Sequence, residues 1–254
     1  MKKELCLLLM AITVGILSIL PGCKKAFDPD RSQYNIKQFS CVGSPLGTER
    51  NENDTMWFTY NVNGDPVTGI RARVSTGYPN FLFRYDHHGR FTDLIGVYGT
   101  TLTDGGVESW TRYFYDDLNR IVSDSFYSFP AIINGQPTIG EYSGFIISTY
   151  EYDSKDRISK VTRGSFSTPY SYDEQGNLAG IPHDNKINYH RTNKIWMFID
   201  RDYSLNNPAT ASYTYNSAGL PTEIVPFPGT VGVFMSVAET SLEFSRADIK
   251  YVRR

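Results

Sequence analysis

One short pattern recurs six times along this chain and limits what it can fold into. It reads aromatic, any residue, Tyr, then Asp or Asn, two variable residues, and Gly, Asn or Asp. The copies begin at Phe58, Phe83, Tyr113, Tyr150, Tyr170 and Tyr213, so the second aromatic falls at Tyr60, Tyr85, Tyr115, Tyr152, Tyr172 and Tyr215. Residues two apart share one face of an extended strand, so each copy turns two rings to one side. The residue between the rings is Thr59, Arg84, Phe114, Glu151, Ser171 or Thr214, polar in all but one copy, which leaves the other side wet. An Asp or Asn in the next position caps the amides of a type I turn with its own side chain. Gly, Asn or Asp three residues later tolerates the left-handed backbone that closes such a turn. The pattern predicts a β-hairpin, six times over.

The return strand of most copies opens on an apolar residue: Phe91, Ile121, Ile158 and Leu178, against Pro66 and Pro221. A second apolar residue follows three positions later at Leu94, Val161, Ile181 and Ile224. A spacing of three breaks strict alternation, which predicts a bulge or strong twist early in the return strand. The gap between the last two copies has room for a degenerate seventh, with Ile195-Trp-Met-Phe-Ile199 as its strand and Asp202 to Asn207 as its turn. Near the C-terminus, 234–237, 242–244 and 249–251 alternate like strands. No run of ten or more residues after the N-terminal segment has a helical period. These elements predict an all-β fold, an antiparallel meander of about 12 to 16 strands. Sheets of that size curl, split or close, and the aromatic face needs cover, so the expected form is an open or closed barrel-like sheet. Residues 49–254 form that single domain.

Composition agrees with a packed core. The chain has 254 residues, 40% of them hydrophobic, with 18 Tyr, 15 Phe and 3 Trp, which argues against wholesale disorder. A net charge of −2 lacks the basic footprint of a nucleic-acid binder. Three Cys cannot build a disulfide framework.

The N-terminus carries an address. Lys2 and Lys3 precede a mostly apolar stretch over 6–20, shorter than the roughly 20 residues a bilayer span needs and matched to a signal-peptide core. The stretch ends Leu20-Pro21-Gly22-Cys23. That ending resembles the lipobox of bacterial lipoproteins, although Pro21 stands where small or β-branched residues are usual. The resemblance implies a signal peptide over 1–22, cleavage before Cys23, and acyl chains on Cys23 that hold the protein to a membrane. Residue 24 is Lys, not the Asp of inner-membrane retention, which by the same resemblance implies the outer membrane, in either leaflet. Residues 23–48 then read as lipidated Cys and tether, with a first strand at 34–41. Cys41 reads as a small core residue.

Tyr-Asp-x-x-Gly-Arg-hydrophobic resembles the YD repeat of bacterial Rhs proteins and teneurins. Phe83-Arg-Tyr85-Asp86-His-His-Gly89-Arg90-Phe91 is the best-matched copy, followed by Tyr150 through Ile158. The likeness runs over about residues 57 to 225 with irregular spacing. In Rhs proteins such repeats form strips of hairpins that spiral into a shell. The combination of lipobox and degenerate YD-like hairpins is more similar to small Bacteroidetes lipoproteins of unknown function, one family of which has a porin-like fold. This resemblance implies architecture and location and carries no site residues.

A search for chemistry returns little. His87 and His88 fill the variable positions of a repeat turn, where they read as solvated turn residues rather than as metal ligands with Asp86. His183 and His190 lie in a polar stretch. No Gly-x-Ser-x-Gly elbow, phosphate loop or EF-hand is present. Asp86, Asp116, Asp153 and Asp173 are accounted for by the turn. A membrane barrel would need an apolar belt, whereas strands such as Ile158-Ser-Lys160-Val-Thr-Arg163 carry charge. Three functions remain. The first is a membrane-tethered, non-enzymatic envelope lipoprotein acting as a β-scaffold or interaction surface, without cofactor or metal, for a polysaccharide or envelope-protein partner. The second is a glycan-binding lipoprotein that stacks sugars on Trp57, Trp110 and Trp196, against the alternative that these rings fill the core. The third is a glycan-processing hydrolase, which requires a cleft of converging polar residues that turn chemistry does not explain.

Overall fold

The structure, a computed structural model, describes residues 33–43, 53–141, 143–228, 235–238 and 244–254. The segment read as a signal peptide, Cys23 and most of the expected tether lie outside the described residues.

The first five strands are β1 (Tyr34–Val42), β2 (Asp54–Tyr60), β3 (Pro66–Arg71), β4 (Asn80–Tyr85) and β5 (Phe91–Val97). They are followed by β6 (Val107–Tyr115), β7 (Ile121–Ser128), β8 (Ala131–Ile133), β9 (Gln136–Thr138), β10 (Phe145–Tyr152), β11 (Ile158–Arg163) and β12 (Phe166–Pro169). Then come β13 (His183–Ile187), a 3-10 turn (Tyr189–Thr192), helix α1 (Lys194–Ile199), β14 (Asn206–Pro208), β15 (Ala211–Tyr215), β16 (Pro221–Pro226) and β17 (Arg246–Arg253). Thirteen strands join one antiparallel sheet in the order β12-β11-β10-β7-β6-β5-β4-β3-β2-β1-β17-β16-β15. The expected meander holds from β1 to β12, interrupted by a β8–β9 flap. The C-terminal strand then pairs with the N-terminal one, Phe39 opposite Ile249. The sheet is open: β12 and β15 are its two edges.

Five copies of the repeat form the predicted hairpins, and each has its bulge one residue into the return strand. Tyr85 pairs with Phe91 while Arg84 pairs with Asp93, so Thr92 is the extra residue. The same shift recurs beside Tyr60, Tyr115, Tyr152 and Tyr215. The turns are capped as expected. Asp86 Oδ1 accepts from the amides of His88 and Arg90, both at 2.9 Å, and Asn119 and Asp156 close their turns at φ 59° and 57°. The copy at Tyr170 keeps its turn, with Asp173 Oδ1 accepting from the Asn177 amide at 2.8 Å, but its strands shrink to an isolated bridge between Tyr172 and Leu178.

A second bond set locks hairpin to hairpin. In four of the six copies the second Tyr donates its hydroxyl to the carbonyl at the start of the preceding return strand. Tyr85 reaches Pro66 O at 2.6 Å, Tyr115 reaches Phe91 O at 2.8 Å, Tyr152 reaches Ile121 O at 2.6 Å and Tyr172 reaches Ile158 O at 3.1 Å. Tyr251 does the same to Pro221 O at 2.7 Å. Arg90, Arg120 and Arg157 each pair with the Asp of their own turn and lie over the Tyr ring of the next copy, at 5.0, 5.1 and 3.8 Å. The signal for this ladder was in the sequence. The first aromatic varies between Phe and Tyr, but the second is always Tyr, which a purely apolar role does not require. Tyr152→Phe is expected to cost about 1–2 kcal/mol, because it strands a part-buried carbonyl. Urea unfolding measures it, and a loss below about 0.3 kcal/mol would show the hydroxyl idle.

The seventh hairpin expected around 195–207 is a correction. Residues 194–199 are helix α1, whose Ile195, Trp196, Met197 and Phe198 are buried. A helix apolar on nearly every side belongs in a core. Asn193 starts it by accepting from the Ile195 amide at 2.8 Å, and its own amide group donates to Gly64 O at 2.9 Å. The helix and the 3-10 turn before it plug the inner face of the sheet. Trp196 packs on Phe58 and Phe83, and Phe198 on Tyr113 and Tyr150. Cover for the aromatic face therefore comes from the chain's own segment rather than from closure of a barrel. Residues 235–238, part of an expected strand, form a turn against the same core. Of 242–244, only Phe244 is described, and it is buried outside any strand.

Candidate functional site

The plug is held by charge as well as by rings. His190, read from the sequence as part of a polar stretch, is buried in it. Its Nε2 lies 2.9 Å from Asp200 Oδ2 and its Nδ1 lies 3.3 Å from Asp202 Oδ2 and 3.0 Å from Asn188 Oδ1. The Asp200 contact is an ion pair off the line of a hydrogen bond, since neither atom has a well-directed partner among the described residues. Burial opposes a charged imidazole, but the two carboxylates outweigh it and push the His190 pKa up to about 10. Asp202 is held well below the usual carboxylate range: burial would raise it, and His190 and Ser204 more than offset that. Asp200 Oδ1 also accepts from the Ser236 amide and hydroxyl. Next to Ser236, Val237 O and Ala238 O accept from the buried Arg71, which pairs with Asp54 at 2.5 Å. The exposed Ser236 thus joins two buried ion groups, one in the plug and one in the sheet.

Where the plug meets β6, β7, β10 and β11, it leaves an inner cleft of about 140 Å³ lined by Asp124, Ser148, Tyr150, Arg163, Phe198 and Arg201, among others. The Tyr150 hydroxyl donates to Asp124. Burial raises the Asp124 pKa, against hydrogen bonds from Tyr150 and Ser148 and the charges of Arg201 and Arg163. Arg201 follows α1 in the left-handed conformation, φ 55°. Its amide bonds Phe198 O at 3.2 Å and the Asp202 amide bonds Met197 O at 3.0 Å. That is a Schellman ending, in which Gly is the usual occupant of this position.

The outer face carries a larger, open cleft of about 710 Å³ between β5–β7 and the β8–β9 flap. Trp110 and Tyr127 stack in its floor, 4.9 Å apart at 25°, and Trp110 Nε1 donates to Asp93 Oδ1 at 2.7 Å. Arg112 lies 5.6 Å from the Trp110 ring, and Arg90, Phe114, Thr138 and Ile139 complete the walls. Arg84 Nη1 pins the flap through Gln136 Oε1 at 2.7 Å.

The three Trp residues singled out by sequence do not come together. Trp196 is 0% exposed in the plug and Trp110 5% exposed under Arg112, while Trp57 is 43% exposed on the outer face of β2. They form no common stacking platform, because strand parity and the plug send each to a different environment. The ring that borders the outer cleft with an open face is Phe114, at 46%. It is the one apolar residue between a pair of repeat aromatics, and that exception was its sequence signal. Cys41 is buried as expected. His87 and His88 sit on their turn, and among the described residues no group of three His, Cys, Asp or Glu is placed to hold a metal.

No protein-family profile matches this chain, and no curated protein matches it. Among solved structures, the chain is similar to "TcdB2-TccC3-TEV", with 14% identity and a TM-score of 0.29 over 71% of this chain. It spans 9% of the length of that structure. It is also similar to a porin-like protein from Bacteroides uniformis, with 10% identity and a TM-score of 0.36 over 86% of this chain and 98% of the other.

Proposed function

We propose that this chain is a membrane-tethered, non-enzymatic lipoprotein of the outer membrane whose sheet is a scaffold for an interaction surface on its outer face. The observation that most supports this reading is the division between the two faces. The inner face is covered by the plug, which leaves only smaller clefts there, and the outer face keeps an open cleft of about 710 Å³ with rings and guanidinium groups. Outside the cleft, the outer face carries polar and charged pairs such as Thr59 against Thr68 and Lys160 against Glu151, which an apolar membrane belt would not. Acyl chains on Cys23 would supply the membrane attachment, since two or more make anchoring stable.

A polysaccharide is the occupant that the outer cleft favours, through Phe114 for stacking and Arg90, Arg112 and Thr138 for hydroxyl groups. Hydrolysis of a glycan is less well supported. It uses a pair of carboxylates, whereas the outer cleft has none and the inner cleft has Asp124 alone. Electrophoresis through gels containing neutral or acidic polysaccharide tests the reading. The wild type is expected to be retarded by at least one of them, and joint Phe114→Ala and Arg112→Ala changes are expected to remove that retardation. Cys23→Ser is expected to abolish lipid labelling in cells. Retardation by no polysaccharide, with no envelope protein cross-linked from position 114, would sink the surface reading. Persistent labelling of the Cys23→Ser chain would sink the tether.

A further inference from the structure

We propose that the inner cleft is a second binding site, distinct from the outer cleft, and that it takes a small organic monocarboxylate through Arg201 and Arg163. Four independent features converge there. Arg201 occupies the left-handed position after α1, at φ 55°, where Gly is favoured and a side chain is strained. Its side chain lines the cleft beside Tyr150 and Asp124, and its charge acts on both. Arg163 reaches the same cleft from β11, its guanidinium 5.6 Å from the Phe126 ring. The rest of the lining is divided between rings (Tyr113, Phe126, Phe198) and the hydrogen-bonded pair of Asp124 and Tyr150.

Charge and size decide the ligand class. Two guanidinium groups face one carboxylate, so the site balances one negative charge. A dianion such as phosphate would meet Asp124 with its second charge uncompensated, whereas a planar carboxylate matches the guanidinium fork. A volume of about 140 Å³ admits a small acid or the end of a larger one, and the rings favour an apolar or ring-shaped body behind the carboxylate. The acid can be free or can be the uronate of an acidic glycan, and the chemistry at the guanidinium groups is the same.

Titration calorimetry of the purified protein with benzoate, D-galacturonate and inorganic phosphate tests the site. Saturable binding of benzoate or D-galacturonate is expected, with phosphate at least tenfold weaker. The tighter of the two carboxylates assigns the free acid or the uronate. Arg201→Gly is the decisive variant. It relieves the left-handed strain, so the chain is expected to be as stable as wild type or more so while binding falls at least tenfold. Arg163→Gln, at an exposed position, is expected to weaken binding in the same direction. The proposal is overturned if neither carboxylate binds, if phosphate binds more tightly than both, or if Arg201→Gly binds as wild type does.

Discussion

Trp196→Ala is expected to lower the free energy of unfolding by about 3–5 kcal/mol, the usual range for removing a large aromatic from a packed interior. Trp196 is fully buried, with its ring 5.0 Å from Phe58 and 5.6 Å from Phe83. Truncation would leave a cavity between helix and sheet that neither can collapse to fill, because α1 is fixed at its start by Asn193 and at its end by the ions around His190. Trp57→Ala, on the wet face, is expected to cost less than about 1 kcal/mol. Trp196→Phe should lie between the two, since it keeps most of the buried ring. Urea unfolding followed by tyrosine fluorescence orders the three. Equal losses from Trp57→Ala and Trp196→Ala would mean that the plug does not anchor the inner face.

His190→Ala is expected to cost a similar 3–5 kcal/mol, because it leaves Asp200 and Asp202 buried without their cation. The native pair also has a pH signature. The folded-state pKa of His190 is pushed up to about 10, above the ordinary 6.5 of an unfolded imidazole. Its contribution is therefore complete below about pH 6.5 and is lost as pH rises through about 10, at up to roughly 1.4 kcal/mol per pH unit within that window. Asp202 acts at the other end: with its folded pKa depressed, its contribution is complete above the unfolded carboxylate range and is lost as pH falls below it. Stability of the wild type should decline between about pH 7 and 10, and the His190→Ala chain should show a flatter profile over that range. Parallel profiles for the two chains would show that His190 does not carry its charge when folded.

Much of the sheet was legible from residues within ten positions of one another. The Asp cap, the left-handed closing residue and the paired rings of the copy at Phe83 are local, and so is the spacing that puts the bulge at Thr92. Local chemistry fixes each of them before any distant contact forms, and five hairpins follow. The Tyr ladder was half legible. The constancy of Tyr85, Tyr115 and Tyr152 was visible, but their acceptors are carbonyl groups in the preceding hairpin, named only once the hairpins are stacked.

The plug lay beyond that reach. A run such as Ile195 to Ile199 is apolar throughout, and periodicity cannot separate a buried strand from a short buried helix. The helix won because the inner face of an open sheet needs cover and a strand edge could not provide it. Only the tertiary structure sends Trp196 to the core, Trp110 beneath Arg112 and Trp57 to the surface, and only it brings Arg201, Asp124 and Tyr150 together from three separate elements. The sequence by itself determined the hairpin, because a hairpin's energy is local. Its open sheet, its plug and the inner and outer clefts were decided by the tertiary structure, because they depend on apolar and charged groups far apart in the chain losing water to one another.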